Sequence, residues 1–231
     1  METGKIYNED CMETMARMED NSVDLVLTDI PYGEVNKMGR GRNKYEGELR
    51  KVKKGIADDC VFNLTVFLNE IKRIVNGGVY IFCGIEQVSE IFNFFNEKNK
   101  KYFMARHCVW CKNNPSPMNG EHYFLSATEN CIYAKKRKTK FYGNCEKNYW
   151  QFNTGKSKTH PTQKPVDLFS YLIKQSSKKR DIVYDPFIGS GTTAVACEKL
   201  DRKWIGSEIS ERYCKLARER IKIERDQGKL F

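Results

Sequence analysis

The sequence lacks any long apolar run and any secretory leader among its 231 residues. Because a membrane-spanning helix needs about 20 consecutive apolar residues, we predict a soluble, cytoplasmic chain that contacts no membrane. Histidine is scarce, with 3 residues, and no Gly-x-Ser-x-Gly elbow accompanies it. The sequence therefore does not favour a Ser-His-Asp hydrolase of the usual α/β type.

Two other motifs are incomplete. Cys108 and Cys111 have the Cys-x-x-Cys spacing of half a zinc site, but no second close pair provides the other half. We predict no metal site and interpret the 9 cysteines as reduced thiols packed like small apolar side chains. Gly155-Lys156-Ser157 matches the end of a phosphate loop, but Trp150 stands where its first glycine is required.

The length and charge of the chain indicate one basic domain. A hydrophobic content of 40% over 231 residues is enough for one core, so we predict a single domain over 1–231. The formal net charge of +10 favours a polyanionic partner, although solvated lysine faces give the same total. The candidate nucleic-acid contacts lie in two basic stretches. The first contains Arg40, Arg42 and Lys44, and the second contains Lys135, Lys136, Arg137 and Lys138. The second is followed by aromatic residues that could stack on bases, Phe141, Tyr142, Tyr149 and Trp150.

Apolar periodicity predicts alternating strands and helices. Residues 61–75 place Leu64, Phe67 and Ile71 on one helical face, and 78–83 then form a buried strand. Such alternation indicates a doubly wound, mostly parallel sheet covered on both faces. The other predicted helices are 86–98, 166–176, 194–200 and 211–225, and the other predicted strands are 23–29, 102–111, 130–134, 181–185 and 203–207.

One strand end carries an unusual group of residues. The apolar run from Val23 ends in Asp29-Ile30-Pro31-Tyr32, where the proline and the following glycine force a turn. A carboxylate beside an aromatic ring can hold a planar amine. The alternative is an ordinary strand end with a solvated Asp and a packed Tyr.

A second strand end has the pattern of a nucleotide cradle. The strand ending at Asp185 is followed by Phe187, Gly189 and Gly191 and then by a helix. Glycine lets the backbone turn tightly and approach a ligand closely. Glu208 ends the next strand about 20 positions later, which is the usual distance to an acid that binds ribose hydroxyls. The loop lacks the full Gly-x-Gly-x-x-Gly fingerprint, so the ligand need not carry a pyrophosphate.

Three motifs together carry a resemblance to a known family. Asp-x-Pro-Tyr at 29–32, His-Pro-Thr-Gln-Lys-Pro at 160–165 and Asp-Pro-Phe-x-Gly-Ser-Gly-Thr-Thr at 185–193 resemble DNA methyltransferases that modify exocyclic amines. Their order is similar to that family's circularly permuted beta arrangement. The resemblance runs nearly end to end and implies a seven-stranded sheet of the S-adenosylmethionine-dependent type, with S-adenosylmethionine as cofactor and DNA as partner. We also predict a homodimer.

The resemblance implies roles for individual residues. Asp185, Phe187, Gly189 and Gly191 match the cofactor motif, Glu208 matches the ribose acid, Thr162 and Lys164 match contacts to the methionine end of the cofactor, and Asp10 matches the adenine contact. Trp110 and Lys112 resemble a segment that lines the target-base pocket, although the Trp could equally be core. Residues 116–159 form the candidate target-recognition insertion.

The implied chemistry begins with a poor nucleophile, because the amine lone pair is delocalised into the base. The Asp29 carboxylate and the Ile30 carbonyl would accept the two amine hydrogens, and Tyr32 would stack on the flipped base. Pro31 completes the motif, but the family usually has Pro where this chain has Ile30. In that family, Asp as the first residue of this motif is commoner among members that modify adenine, so the resemblance favours adenine as the target base. Cytosine amino methylation and a catalytically silent nucleic-acid-binding partner are the alternatives.

Overall fold

The computed structural model describes residues 1–31, 63–117, 121–155 and 163–228. Its strands are β1 (Lys5–Tyr7), β2 (Val23–Asp29), β3 (Val75–Cys83), β4 (Phe103–Lys112), β5 (Thr128–Lys136), β6 (Tyr149–Phe152), β7 (Ile182–Asp185) and β8 (Lys203–Ser207). Its α-helices are α1 (Cys11–Ala16), α2 (Leu64–Ile74), α3 (Val88–Asn93), α4 (Val166–Ser176), α5 (Thr192–Lys199) and α6 (Glu211–Gly228).

The described strands form one sheet in the order β1-β8-β7-β2-β3-β5-β4-β6. Strands β1, β8, β7, β2 and β3 pair in parallel, whereas β5 is antiparallel to both β3 and β4. The predicted doubly wound, mostly parallel α/β fold is confirmed. The sheet has eight strands rather than the predicted seven. The short β1 and β6 fell outside the strands predicted from apolar periodicity, because three or four residues are too few to show an alternation.

Two apolar layers cover the sheet. One face carries α1, α2 and α3, which bury Met15, Phe67 and Ile91. The other carries α4, α5 and α6, which bury Leu172 and Cys214. The predicted packing of thiols in the core is confirmed for six of the described cysteines, Cys11, Cys83, Cys108, Cys131, Cys197 and Cys214. Within the described ranges, the helices include none with the length and apolar character to cross a membrane.

Helix α2 follows the predicted pattern. The Asn63 side chain caps it by accepting a hydrogen bond from the Val66 backbone N–H at 3.0 Å. Phe67, Leu68 and Ile71 are fully buried on one face, as their spacing predicts. The predicted helix over 61–75 is confirmed over 64–74, while 61 and 62 lie outside the described residues.

The prediction of one regular helix over 86–98 is wrong, because the helix type changes along this range. A 3₁₀ turn over Ile85–Gln87 leads into α3, and a π turn over Phe94–Lys98 follows. The π turn accompanies the burial of two consecutive rings, and Phe95 lies 5.1 Å from both Phe94 and Phe103 between ring centroids. A regular helix would turn two consecutive side chains about 100° apart, so this local distortion is consistent with burying both.

The close packing of β8 under the glycine-containing loop gives a stability prediction. A Cβ at Gly206 would lie 2.2 Å from Cδ1 and 3.0 Å from Cβ of Ile188. We expect Gly206→Ala to lower the free energy of unfolding by about 1 to 3 kcal/mol through overpacking, measured by urea denaturation. Gly155→Ala is the control, because among the described residues its Cβ would meet no atom nearer than 3.5 Å. Equal urea midpoints for the two variants would contradict the expectation.

Candidate active site

Parallel pairing brings three acids to one edge of the sheet. Val26 of β2 pairs with Tyr184 of β7, and Asp185 of β7 pairs with Gly206 of β8. Asp29 and Asp185 are the last residues of their strands, and Glu208 directly follows β8. The acids that sequence reasoning selected therefore share the carboxyl-end edge, where ligands of open α/β sheets bind.

The loop between β7 and α5 is a cradle that requires glycine. Gly189 and Gly191 have φ values of 51° and 83°, and a Cβ at Gly191 would lie 2.9 Å from the Ala217 Cβ. Glu208 braces this loop, because its Oε2 accepts a hydrogen bond from the Gly189 N–H at 3.1 Å. Its Oε1 accepts another from the Ser210 N–H at 2.8 Å. A tight cradle with an acid at its rim fits an adenosyl group with its ribose hydroxyls.

Asp185 anchors the other side of the same loop. The carboxylate is 3% exposed. It accepts hydrogen bonds from the Phe187 N–H at 3.1 Å and from the Thr193 hydroxyl. Burial raises the pKa of Asp185 to about 7, and the nearby Asp29 charge adds to this, while the hydrogen bonds from the Thr193 hydroxyl and the Phe187 N–H oppose it. Its contacts are with the loop, and a direct cofactor contact stays a prediction.

Asp10 and Phe187 lie at the same edge. Asp10 caps α1 by accepting a hydrogen bond from the Met12 N–H at 2.7 Å. It follows β1, which pairs in parallel with β8, and the neighbouring Asn8 amide donates to the Glu208 carbonyl at 2.8 Å. The Phe187 ring packs against Phe67 at 5.5 Å between centroids. Phe187 is thus part of the glycine loop, Asp10 lies two residues after Asn8 at the same edge, and their cofactor roles stay predictions.

Asp29 belongs to a charge cluster formed by Asp29, Lys164, Glu129 and Lys112. Lys164 Nζ lies 2.5 Å from Asp29 Oδ2 and 2.9 Å from Glu129 Oε2. Lys112 Nζ lies 3.0 Å from Glu129 Oε1, so acids and bases alternate along the cluster. The Lys164 side chain is 7% exposed, whereas Asp29 is 29% exposed. Asp29 is thus the most accessible member of the cluster.

The cluster includes two residues with predicted ligand contacts, and those contacts stay predictions. The Lys164 ammonium contacts Asp29 and Glu129, although the resemblance implies a contact to the methionine end of the cofactor. Lys112, predicted to contact nucleic acid, is bound to Glu129 and is 15% exposed. The Lys164 ammonium is buried and needs a carboxylate partner, and the partly exposed Lys112 ammonium is paired with Glu129 as well. Trp110 is 2% exposed and donates from Nε1 to the Phe152 carbonyl at 3.1 Å, which makes it core.

Sequence reasoning missed Glu129. The predicted strand began at Asn130, so this acid fell just outside it, and no motif includes it. Burial alone would raise the pKa of Glu129, but the ammonium groups of Lys164 and Lys112 outweigh burial, and its pKa lies below the usual value. The available signal was an acid directly before an apolar strand, a position that reaches the sheet edge.

The turn after β2 is partly described. The Ile30 side chain is 2% exposed in the core, and its N–H donates to the Phe82 carbonyl at 3.1 Å. The Gln87 amide donates to the Pro31 carbonyl at 3.1 Å. These contacts hold the backbone on either side of the Ile30 carbonyl. The other predicted residues Tyr32, Arg40, Arg42, Lys44 and Thr162 lie outside the described residues.

The second basic stretch lies away from this edge. Lys135 pairs with Gly78 near the start of β3, whereas Cys131 pairs with Phe82 near its end. Because β5 runs antiparallel to β3, its C-terminal lysines reach the edge opposite Asp29. The Lys135 ammonium donates to the Thr139 carbonyl at 2.5 Å, and Lys136 bonds the Asn21 side chain. Arg137 donates to the Lys100 carbonyl at 2.7 Å, whereas Lys138 is exposed.

The four cations therefore lie at the sheet edge opposite Asp29, and their contact with DNA stays a prediction. Trp150, predicted to stack on bases, is 7% exposed in β6 and packs against Tyr80 and Phe82. Among the described residues, no group of three or more His, Cys, Asp or Glu side chains is arranged to hold a metal ion.

The fold and the cradle define a methyltransferase that uses S-adenosylmethionine. Residues 23–219 match the family model described as DNA methylase, and the chain belongs to this N6/N4 family. The predicted family and cofactor are confirmed, and a similar protein, M1.HpyAVI, has a crystal structure as an S-adenosylmethionine complex. That structure is 29% identical, with a TM-score of 0.68, and the match covers 94% of this chain and 98% of that one.

Two similar proteins are Type II methyltransferases. M2.DpnII of Streptococcus pneumoniae is 27% identical over 96% of this chain and 90% of its own length. M2.MboI of Moraxella bovis is 30% identical over 93% of this chain and 86% of its own length. PvuII DNA methyltransferase (cytosine-N4-specific) shares the fold with a TM-score of 0.72 at 18% identity, covering 98% of this chain and 91% of that one.

The buried Asp185 carboxylate predicts a specific pH dependence of stability. Its pKa is about 7 in the folded protein, and Asp in unfolded chains titrates near 3.9, so the folded state binds the extra proton. Stability from this group is greatest at low pH and declines as pH rises to about 7. Asp185→Asn removes this titration. We expect its free energy of unfolding, relative to the unsubstituted protein, to rise by about 2 to 3 kcal/mol between pH 5 and pH 8.

Urea denaturation across this pH range measures the difference. Asp201→Asn is a matched control, because Asp201 is exposed and lies in a loop outside the cradle. The control should follow the unsubstituted protein at every pH. A difference for Asp185→Asn that stays constant with pH would show that Asp185 does not titrate in this window.

Proposed function

We propose that this protein transfers the methyl group of S-adenosylmethionine to the exocyclic amine of a flipped adenine in DNA. The observation that carries the proposal is the position of Asp29 at the same sheet edge as the glycine cradle and Glu208. A cofactor in the cradle and an amine at Asp29 would both lie at the carboxyl ends of adjacent strands β7 and β2. Such proximity is what a direct transfer requires.

Asp29 would accept one hydrogen of the target amine, and the Ile30 carbonyl would accept the other. Both contacts localise the nitrogen lone pair and stabilise the positive charge that develops as nitrogen attacks the methyl carbon. Transfer would break the bond between sulfur and the methyl carbon, leaving a neutral thioether, and the methylated amine would release one proton to solvent. Gly189, Gly191 and Glu208 would hold the adenosyl portion of the cofactor. No covalent intermediate with the base is needed.

The packing around Ile30 argues for an active enzyme over the silent-partner alternative. The family usually has proline at this position, and proline would stiffen the turn. Here the buried Ile30 side chain and the bond from its N–H to Phe82 restrain the same backbone. The Gln87 amide restrains the next carbonyl, that of Pro31. The acceptor geometry therefore does not depend on a proline at position 30.

Adenine is the proposed base, and cytosine is the alternative. Asp accepts a hydrogen bond from either amine, so the preference rests on the family pattern in which a leading Asp is commoner among adenine modifiers. The similarity to relatives does not discriminate, because the family includes both reactions.

We propose that target recognition within 116–159 belongs to the segments outside β5 and β6, because these two strands are part of the sheet. The segment before β5 is the stronger candidate. It ends beside the charge cluster, where the Lys112 ammonium donates to the Ser126 carbonyl at 3.3 Å. The Tyr123 and Phe124 rings of this segment are 79% and 93% exposed, which suits contact with DNA bases.

A cytoplasmic location would follow from a DNA substrate. The homodimer stays a prediction, which light scattering of the purified protein can test.

A pair of substitutions separates catalysis from cofactor binding. Asp29→Ala should remove about 3 kcal/mol or more of transition-state stabilisation, which slows methyl transfer over a hundredfold. The cofactor affinity should stay nearly unchanged. Glu208→Ala should weaken S-adenosylmethionine binding by about 1.5 to 3 kcal/mol. Single-turnover transfer of radiolabelled methyl to DNA and calorimetric titration measure the two effects. Transfer by Asp29→Ala at the unsubstituted rate would remove Asp29 from the site.

The methylated product identifies the base. DNA from cells that express the protein, digested with nuclease and analysed by mass spectrometry, should contain N6-methyladenine. The matched control is DNA from cells that express Asp29→Ala, which should contain no additional methylated base. N4-methylcytosine without methyladenine would support the cytosine alternative, and no modified base in any DNA tested would support the silent partner.

A further inference from the structure

Lys164 is a buried cation shared by two carboxylates. Its ammonium lies 2.5 Å from Asp29 and 2.9 Å from Glu129, with its side chain 7% exposed. It also lies 5.5 Å from the centre of the Phe82 ring. Burial alone would lower the pKa of Lys164, but the two carboxylates outweigh burial and raise it above the usual value. The group is therefore a fixed positive charge beside Asp29.

A fixed cation in contact with Asp29 would oppose the proposed chemistry. The ammonium competes with the target amine for the carboxylate oxygens, since both are hydrogen-bond donors. It also repels the positive charge that develops on the amine nitrogen during transfer. An Asp29–Lys164 pair without a further partner would therefore be a weak acceptor at the moment of reaction.

Glu129 offsets this effect. We propose that Glu129 is a positioning residue that neutralises Lys164 and draws it from Asp29 when the target amine binds. Because Lys164 already contacts Glu129, it can release Asp29 without becoming an unpaired buried cation, which would be costly. Lys112 holds the other oxygen of Glu129 at 3.0 Å and keeps its carboxylate oriented. This inference rests on the proposed function and adds a residue that no motif includes.

The test compares the charge of Glu129 with its shape. Glu129→Gln keeps the shape and removes the charge, and Glu129→Asp keeps the charge on a shorter side chain. We expect Glu129→Gln to lower the single-turnover rate of methyl transfer to DNA about tenfold or more, and to change the S-adenosylmethionine Kd by less than about twofold. Glu129→Asp should be faster than Glu129→Gln. A merely structural role for Glu129 would favour the isosteric Gln instead.

A second variant and a control keep the result interpretable. Lys164→Gln added to Glu129→Gln removes the unbalanced cation and should raise the transfer rate above that of Glu129→Gln alone. Glu90→Gln is the matched control at an exposed glutamate on α3 and should leave the rate unchanged. Thermal unfolding of each variant monitors folding.

The outcomes separate this inference from the proposed function. Unsubstituted protein that transfers no methyl to any DNA would overturn the proposed function. Active unsubstituted protein combined with an unimpaired Glu129→Gln, or with Glu129→Asp slower than Glu129→Gln, would overturn the role of Glu129 alone. If Glu129→Gln fails to fold, Lys164→Gln is added to Glu129→Asp instead, and this double variant should transfer methyl faster than Glu129→Asp alone, because it removes a cation that the shorter carboxylate neutralises incompletely. An equal or lower rate overturns the inference, because Lys164 would then not oppose the transfer.

Discussion

The site depends on the parallel pairing of β8, β7, β2 and β3, because it gathers their carboxyl ends at one edge of the sheet. Three acids from three strands meet there, and repulsion among them must be offset. Two acids are stabilised by the loops. Glu208 accepts hydrogen bonds from the N–H groups of Gly189 and Ser210. Asp185 accepts hydrogen bonds from the Phe187 N–H and the Thr193 hydroxyl. The loop that forms the cradle therefore also supplies the hydrogen-bond donors that stabilise Glu208 and Asp185.

Asp29 is stabilised differently. Its described ionic partner is the Lys164 ammonium at the end of a side chain, which can move without unfolding a loop. Backbone donors are locked in their places, as suits a cradle that must keep its shape. An ammonium partner suits an acid that must exchange one donor for another during a reaction. The different partners of Asp185 and Asp29 therefore match the different roles proposed for them.

Sequence reasoning predicted the features that depend on local order along the chain. Strand ends, the glycine turn and the amphipathic face of α2 follow from spacing and residue type, and the structure contains them. It did not predict strand direction, which decides the sheet edge at which a residue lies. Nothing in the residues 135–138 indicates that β5 runs antiparallel to β3, yet this reversal moves them to the opposite edge. The same reversal brings the beginning of β5, and with it Glu129, beside Lys164.

The circularly permuted order of the motifs becomes understandable from the same geometry. Strand β2, which carries Asp29, precedes β7, which carries Asp185, by most of the chain, but the two strands are neighbours in the sheet. From this pair the chain continues outward in both directions, through β3 on one side and β8 on the other, which makes it the point where strand order reverses. A crevice forms at such a point because the following connections diverge to opposite faces. The site thus requires adjacent carboxyl ends in space, and the order in which the chain supplies them is free to vary.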